Sequence, residues 1–196
     1  MTRVSRLTAL ALAPLALIAA GAASAHVGHE ASTGGMLTGL LHPLTGLDHL
    51  LALSAIGLWS ARQARPLGRA VPGLAALGML LGAGLAWGGL SLPGVETGIS
   101  LSVLLAGVLL AGLVRMPAGI SAVLVVAFLV CHGQAHATEM PVGASLMAYL
   151  AGFLLATLGI GQLGRSVGQA LLHRVPHLDR VVGGLVALAG GVLVIG

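Results

Sequence analysis

Six ionisable side chains form two short groups inside otherwise apolar stretches of the chain. They are His42, Asp48 and His49 in the first group and His132, His136 and Glu139 in the second. Placing an aspartate or a basic residue within a membrane span costs about 2.5–3.5 kcal/mol, so such residues usually pair, line a cavity or bind an ion. Imidazoles combined with carboxylates favour a divalent transition metal. The sequence therefore predicts that these six residues bind a metal ion.

The first motif, residues 42–49, combines ligand spacing with two helix-breaking residues. On a regular helix His42 and His49 lie about 20° apart in projection and two turns from each other. Asp48 points about 100° away from His49 on the same helix. Pro43 removes a backbone hydrogen bond and Gly46 loosens the same turn. We therefore predict a kink or an unwound stretch that brings the carboxylate toward the histidines.

The second motif, residues 132–139, places its ligands on one stripe of a helix. His132 and His136 are four residues apart, and Glu139 follows seven residues after His132. Two imidazoles one turn apart can reach the same ion, and the carboxylate one turn further adds a ligand or a counter-charge. Interhelical hydrogen bonding is the alternative role for any single histidine. It does not account for carboxylates in both groups.

The composition is that of a bilayer protein rather than of a soluble domain. Apolar residues make up 57% of the chain and charged residues 7%, and the mean hydropathy is +1.05. The formal charge of +4 comes from single arginines in short loops, which argues against a nucleic-acid partner. Cys131 is the only cysteine, so a disulfide within the chain and a thiolate-rich metal site are both excluded.

The N-terminal segment, residues 1–25, has the three parts of a secretory signal peptide. Arg3 and Arg6 precede an apolar run, and Ala23-Ser24-Ala25 is a small-residue cleavage site. Cleavage would leave a mature chain that starts at His26 on the extracytoplasmic side. An uncleaved N-terminal helix is the alternative. The mature chain, residues 26–196, is then a single domain.

We predict an all-α fold, a polytopic membrane bundle of six transmembrane helices after the signal peptide. The predicted helices span residues 36–60, 70–91, 96–114, 118–137, 142–163 and 180–196. Every arginine after residue 25 falls on a connection assigned to the inside, as the positive-inside rule requires. The pairs Gly78/Gly82 and Gly84/Gly88 have the spacing that lets membrane helices approach closely. We predict a location in the bacterial cytoplasmic (inner) membrane.

At the two motifs the chain resembles the HupE/UreJ family of hydrogenase and urease accessory membrane proteins. His42, Asp48 and His49 match its His-x5-Asp-His motif. The second family motif, His-Gly-x-Ala-His-x-x-Glu, is matched by His132, Gly133, Ala135, His136 and Glu139. The resemblance implies a nickel permease, or in some members a cobalt permease, that supplies metalloenzyme maturation. Ni²⁺ or Co²⁺ would be the transported substrate, and no cofactor would be permanently bound.

Two other functions remain open for the same residues. A membrane-embedded zinc hydrolase would use the histidines to hold a catalytic metal and Asp48 or Glu139 to activate water. A proton conductor would use the histidine and carboxylate chain without metal. A phosphate-binding loop is absent from the sequence, so we expect no ATP hydrolysis and no enzyme activity of the permease itself. The sequence leaves open a homo-oligomer and a contact with a metallochaperone.

Overall fold

A computed structural model describes residues 35–171, 175 and 177–196, and these residues form α-helices and connections without any β-strand. The predicted signal peptide, residues 1–25, lies outside the described residues. The seven described helices are α1 Gly35–Thr45, α2 Leu47–Ser60, α3 Arg65–Trp87, α4 Val95–Ala111, α5 Ala118–Thr138, α6 Leu146–Leu171 and α7 Leu178–Ile195. The predicted all-α class is therefore confirmed.

The helix boundaries depart from the predicted ones in two informative places. The first predicted span, residues 36–60, is two helices separated at Gly46. The second helix begins at Arg65 instead of residue 70, because Pro66 occupies the first turn of α3. Proline is compatible with a first turn, where its missing N–H would have no helical partner. The predicted bounds left Pro66 in the connection between residues 60 and 70, whereas it lies in the first turn of α3.

Four of the described helices are long and apolar enough to cross a membrane. They are Arg65–Trp87, Ala118–Thr138, Leu146–Ala170 and Leu178–Ile195. Helices α2 and α4 are equally apolar but shorter, with 14 and 17 residues. Large apolar side chains such as Val123 and Leu188 are about 70% and 68% exposed on the outside of the bundle. A bilayer would bury such side chains without any protein partner.

Glycines set the distance between the paired helices α3 and α5. Gly78 and Gly82 on α3 lie directly against the α5 backbone, and Gly133 on α5 lies against the backbone of Met79. A Cβ atom at any of these three positions would collide with a backbone carbonyl. The predicted role of the Gly78/Gly82 pair is thus confirmed. The pair that begins at Gly84 was predicted wrongly, since nothing among the described residues lies within 4 Å of a Cβ built there.

The connection between α3 and α4 is attached to α5 by side-chain hydrogen bonds. The Gln134 amide donates from Nε2 to the Leu90 carbonyl at 2.9 Å and accepts at Oε1 from the Leu92 N–H at 3.2 Å. Trp87 also donates its indole N–H to the Ala137 carbonyl at 3.3 Å. These bonds fix the end of α5 that carries the second motif.

Just beyond the far end of α2, an ion pair joins the connection between α2 and α3 to α7. The Arg62 guanidinium contacts the carboxylate of Asp179, whose side chain is 3% exposed. The other carboxylate oxygen of Asp179 accepts the backbone N–H of Arg180 at 3.0 Å. Next to this pair, Trp59 and Gln63 both donate to the Val114 carbonyl. This end of the bundle is therefore closed by polar contacts.

Candidate metal site

The break between α1 and α2 positions the first motif. Gly46 has an extended backbone (φ −75°, ψ 112°) between two helical stretches. Its N–H still donates to the His42 carbonyl at 3.0 Å, and its carbonyl accepts the Leu50 N–H at 2.9 Å. The interruption is therefore local, since helical hydrogen bonds are made on both sides of Gly46. The predicted unwound stretch is confirmed, and it places Asp48 and His49 in the first turn of α2.

The last two turns of α5 position the second motif. His132 and His136 are both fully buried, one turn apart, and face the break at Gly46. Glu139 follows the last residue of α5 and donates its backbone N–H to the Ala135 carbonyl at 3.1 Å. Its side chain is 51% exposed. The motif thus runs from the interior of the bundle to its surface.

Three of the six predicted ligands form a group with metal-site dimensions. One ligand atom from each of His42, His136 and Glu139 lies within 4.8 Å of the other two. We call these residues the trio. His42 Nε2 is 2.6 Å from Glu139 Oε2, and its side chain is 29% exposed. The hydrogen bond from His42 lowers the pKa of the Glu139 carboxyl, which favours the charged form of this ligand.

The other three predicted ligands lie beside the trio. The ring centroid of His49 is 4.3 Å from that of His136 and 4.6 Å from that of His132. His42 lies 4.7 Å from His136. Asp48 Oδ1 is 2.8 Å from His49 Nδ1 and also accepts the His49 backbone N–H at 2.8 Å. The structure therefore brings all six predicted residues into one cluster.

The two motifs do not lie at separate depths, as they would in a ladder with the second motif at the mouth and the first motif deeper. Instead the motifs interleave: His42 pairs with Glu139 at the surface, and His49 meets His132 in the interior. The reason is the antiparallel course of the two segments, since the chain enters the cluster at His42 and leaves it at Glu139. Each level of the cluster thus contains one residue from each motif.

Several buried ring nitrogens of the cluster lack a hydrogen-bond partner among the described residues. They are His49 Nε2, His132 Nδ1 and both nitrogens of His136. Leaving a buried polar atom without a partner costs about 1–3 kcal/mol. Three adjacent imidazoles with unpaired nitrogens are therefore a poor arrangement for stability alone. They fit a cation, because an unprotonated ring nitrogen is a strong ligand for divalent transition metals.

Three residues of the surroundings were missed from the sequence. Ser102 on α4 has its Oγ 2.8 Å from His132 Nε2. Phe153 on α6 stacks on the His136 ring with an interplanar angle of 4°, and Tyr149 donates its hydroxyl to the His136 carbonyl at 3.0 Å. Tyr149 and Phe153 are four residues apart on α6, which is a signal for a shared face. Ser102 carries no sequence signal, since its contact depends on how α4 packs against α5.

Comparison with known proteins assigns the chain to a family. The family model described as HupE / UreJ protein matches residues 14–193. The chain belongs to the HupE / UreJ family. It is also 38% identical over 175 residues to Protein HupE of Rhizobium leguminosarum bv. viciae, a match that covers 89% of this chain and 91% of that protein. The family resemblance seen in the two motifs is thus confirmed. No solved structure matches this HupE / UreJ chain.

Proposed function

We propose that this HupE / UreJ chain is a secondary permease that imports a divalent transition metal, Ni²⁺ or Co²⁺, for the maturation of an enzyme such as hydrogenase or urease. The observation that supports it is the graded exposure of the ligand cluster. Glu139 is half exposed, His42 is less exposed, and His136 behind them is fully buried. An ion can therefore meet a charged ligand at the surface before it reaches neutral ligands in the interior.

The donor set suits a transported ion better than a permanently bound one. The predicted ligands are imidazole nitrogens and carboxylate oxygens, and the lone Cys131 is not among the trio. Mixed nitrogen and oxygen sites select intermediate metals such as nickel and cobalt without the tight retention that thiolates give. Conduction requires binding that is weak enough for release. All six residues would take part in one site.

We assign the cluster to the extracytoplasmic side of a bacterial inner membrane, with six spans and the mature N-terminus outside. In that orientation the arginine-bearing connections lie inside, as the positive-inside rule requires. A divalent cation then gains about 4.6 kcal/mol per 100 mV of inside-negative potential on entry, which is twice the value for one charge. Import would run downhill while enzyme assembly consumes the metal. ATP hydrolysis by this chain is not needed.

The test is uptake of radioactive nickel into vesicles that contain the purified protein, under an imposed inside-negative potential. We expect uptake by the wild type and loss of uptake in Asp48→Asn and His136→Ala. The matched control is His177→Ala, which removes an exposed histidine far along the chain from both motifs. Competition by cobalt and zinc would give the metal preference. Normal uptake by both site variants, or none by a folded wild type, would contradict the proposal.

A second function is favoured by one observation. The trio contains two histidines and one glutamate, which is the ligand set of several catalytic zinc enzymes. A membrane-embedded hydrolase would turn over a substrate in the presence of zinc without moving the metal across the bilayer. The hydrolase would be favoured if the protein retained one zinc ion per chain and no zinc entered the vesicle. Proton flux without metal would instead favour the proton conductor.

A further inference from the structure

Ser102 is the one described residue of α4 that hydrogen-bonds a ring of the cluster. It is 0% exposed, and its Oγ lies 2.8 Å from His132 Nε2 and 2.6 Å from the Ile99 carbonyl oxygen. A serine side chain at this helical position normally makes only the second of these bonds, back to its own helix. With two hydrogen bonds, the Ser102 hydroxyl must donate one and accept the other, and this decides which ring nitrogen of His132 carries a proton.

The hydroxyl of Ser102 has a single proton and two hydrogen bonds. The Ile99 carbonyl can only accept, so the serine proton goes to Ile99. Oγ must then accept from His132, which places a proton on His132 Nε2. A neutral imidazole carries one N–H, so His132 Nδ1 bears a lone pair. This nitrogen is buried and has no hydrogen-bond partner in the described part of the chain.

The same logic holds for the neighbouring histidine. The Asp48 carboxylate can only accept, so His49 is protonated at Nδ1 and its lone pair is on Nε2. The rings of His49 and His132 are 4.6 Å apart and nearly perpendicular. Each of these two rings therefore has one nitrogen fixed by a partner and the other left with a lone pair. Asp48 is the partner on α2, and Ser102 is its counterpart on α4.

We propose that Ser102 is a positioning residue that holds His132 in the Nε2–H tautomer, so that Nδ1 can serve as a ligand for the divalent cation. The proposal rests on the proposed metal function. Partners that orient a ligating histidine typically change metal affinity 10–100-fold when removed. Without the Ser102 hydroxyl, His132 would populate both tautomers, and part of the protein would present an N–H to the ion.

The first experiment measures the tautomer in metal-free protein. ¹⁵N-histidine spectra in nanodiscs distinguish a protonated from an unprotonated ring nitrogen, and a His132→Gln variant assigns the signals. We expect one tautomer in the wild type and a mixture in Ser102→Ala. Ser121→Ala is the matched control, because Ser121 is equally buried and its Oγ has no partner in the described residues. An unchanged tautomer in Ser102→Ala would overturn the proposal.

The second experiment measures Ni²⁺ affinity by titration calorimetry on the same proteins. We expect Ser102→Ala to bind about 10–100-fold more weakly, while Ser121→Ala and Ser102→Thr, which keeps the hydroxyl, bind as the wild type does. Equal weakening in Ser121→Ala would indicate a packing effect and overturn the proposal. If the wild type binds no Ni²⁺ but Ser102→Ala still changes the tautomer of His132, the permease function is contradicted. The role of Ser102 in fixing the His132 tautomer would then still hold. If Ser102→Ala does not fold, Ser102→Cys provides the test, because its thiol is only a weak donor and acceptor and should give the same tautomer mixture and weaker Ni²⁺ binding.

Discussion

The two ends of α2 show opposite solutions for polar groups inside an apolar bundle. Near its N-terminus, His49 lies in a cluster of imidazoles with several unpaired ring nitrogens. About 20 Å further along the helix axis, Arg62 forms an ion pair with the buried carboxylate of Asp179. The two charges of this pair neutralise each other within the protein. At the first end, by contrast, ring nitrogens that could bind an ion have no partner among the described residues.

The difference separates a structural role from a ligand-binding one. A buried ion pair with its partners in place is costly to break, because removal of one member leaves an uncompensated charge. Buried ring nitrogens without a hydrogen-bond partner cost stability instead, and they are available as ligands for a cation. We therefore infer that the Arg62 end holds the bundle together and that the histidine end acts on the ion. Four predictions test this contrast.

The largest effect is expected for Arg62→Ala. This change leaves the Asp179 carboxylate buried without its guanidinium, which should lower the free energy of unfolding by about 3–5 kcal/mol. Equilibrium unfolding in mixed detergent micelles measures the loss. The control, Arg69→Ala, removes an exposed arginine and should change stability by less than about 0.5 kcal/mol. A similarly small loss in Arg62→Ala would remove the contrast between the two ends.

The next effect concerns how the histidine end is held. In Gly133→Ala the new methyl group collides with the Met79 backbone, so α5 must move away from α3. Overpacking of this kind costs about 1–3 kcal/mol and should also weaken Ni²⁺ binding, because His132 and His136 move with the helix. Gly84→Ala is the control, with open space at its Cβ, and helix propensity alone should make it slightly stabilising. Equal melting curves for the two variants would contradict the close contact.

The third effect has the opposite sign. His136→Leu replaces a buried ring whose nitrogens have no partner in the described structure by an apolar side chain of similar size. The metal-free protein should become more stable by about 1 kcal/mol, since unpaired buried polar atoms are removed. Stabilisation by added Ni²⁺, about 2.7 kcal/mol for the wild type at 100 times its Kd, should disappear. A destabilised metal-free variant would show that His136 contributes to the fold.

The smallest effect is expected for Tyr149→Phe. It removes the hydrogen bond to the His136 carbonyl and keeps the ring, which should cost about 0.5–1.5 kcal/mol. Thr157→Val is the matched control on the same helix, because the buried Thr157 hydroxyl has no partner among the residues described. That variant should be neutral or stabilising. Thermal unfolding of the two variants measures their stability. Equal losses of stability would argue against a role for the hydrogen bond.

The sequence was sufficient for the parts of the site that depend on local spacing. The stripe of His132, His136 and Glu139 and the break at Gly46 follow from helix geometry and from the chemistry of proline and glycine. The meeting of the two motifs could be expected only from their shared chemistry. Their interleaving could not, because it depends on the direction in which α1 and α5 pass each other. Ser102 was missed for the same reason, since its contact with His132 crosses between helices.

The helix bounds and glycine contacts also depend on packing that local sequence spacing does not reveal. Pro66 was interpreted as a loop residue, whereas its position in the first turn of α3 depends on where the preceding chain turns. The Gly78/Gly82 and Gly84/Gly88 pairs have identical spacing, yet among the described helices only the first pair faces a neighbour. Spacing gives the face on which glycines lie but not the neighbour of that face. Tertiary packing decides which of two equal patterns becomes a contact.

Gln134 fixes the side of the site that α5 carries. Its amide holds the connection between α3 and α4, so α5 cannot rotate about its axis without breaking both of those bonds. The opposite side of the cluster is carried by α1 and α2, and Gly39 and Gly57 of these helices lie directly against the α6 backbone. We therefore expect the ligands to keep their backbone positions when an ion binds, so that the site is formed before the ion arrives.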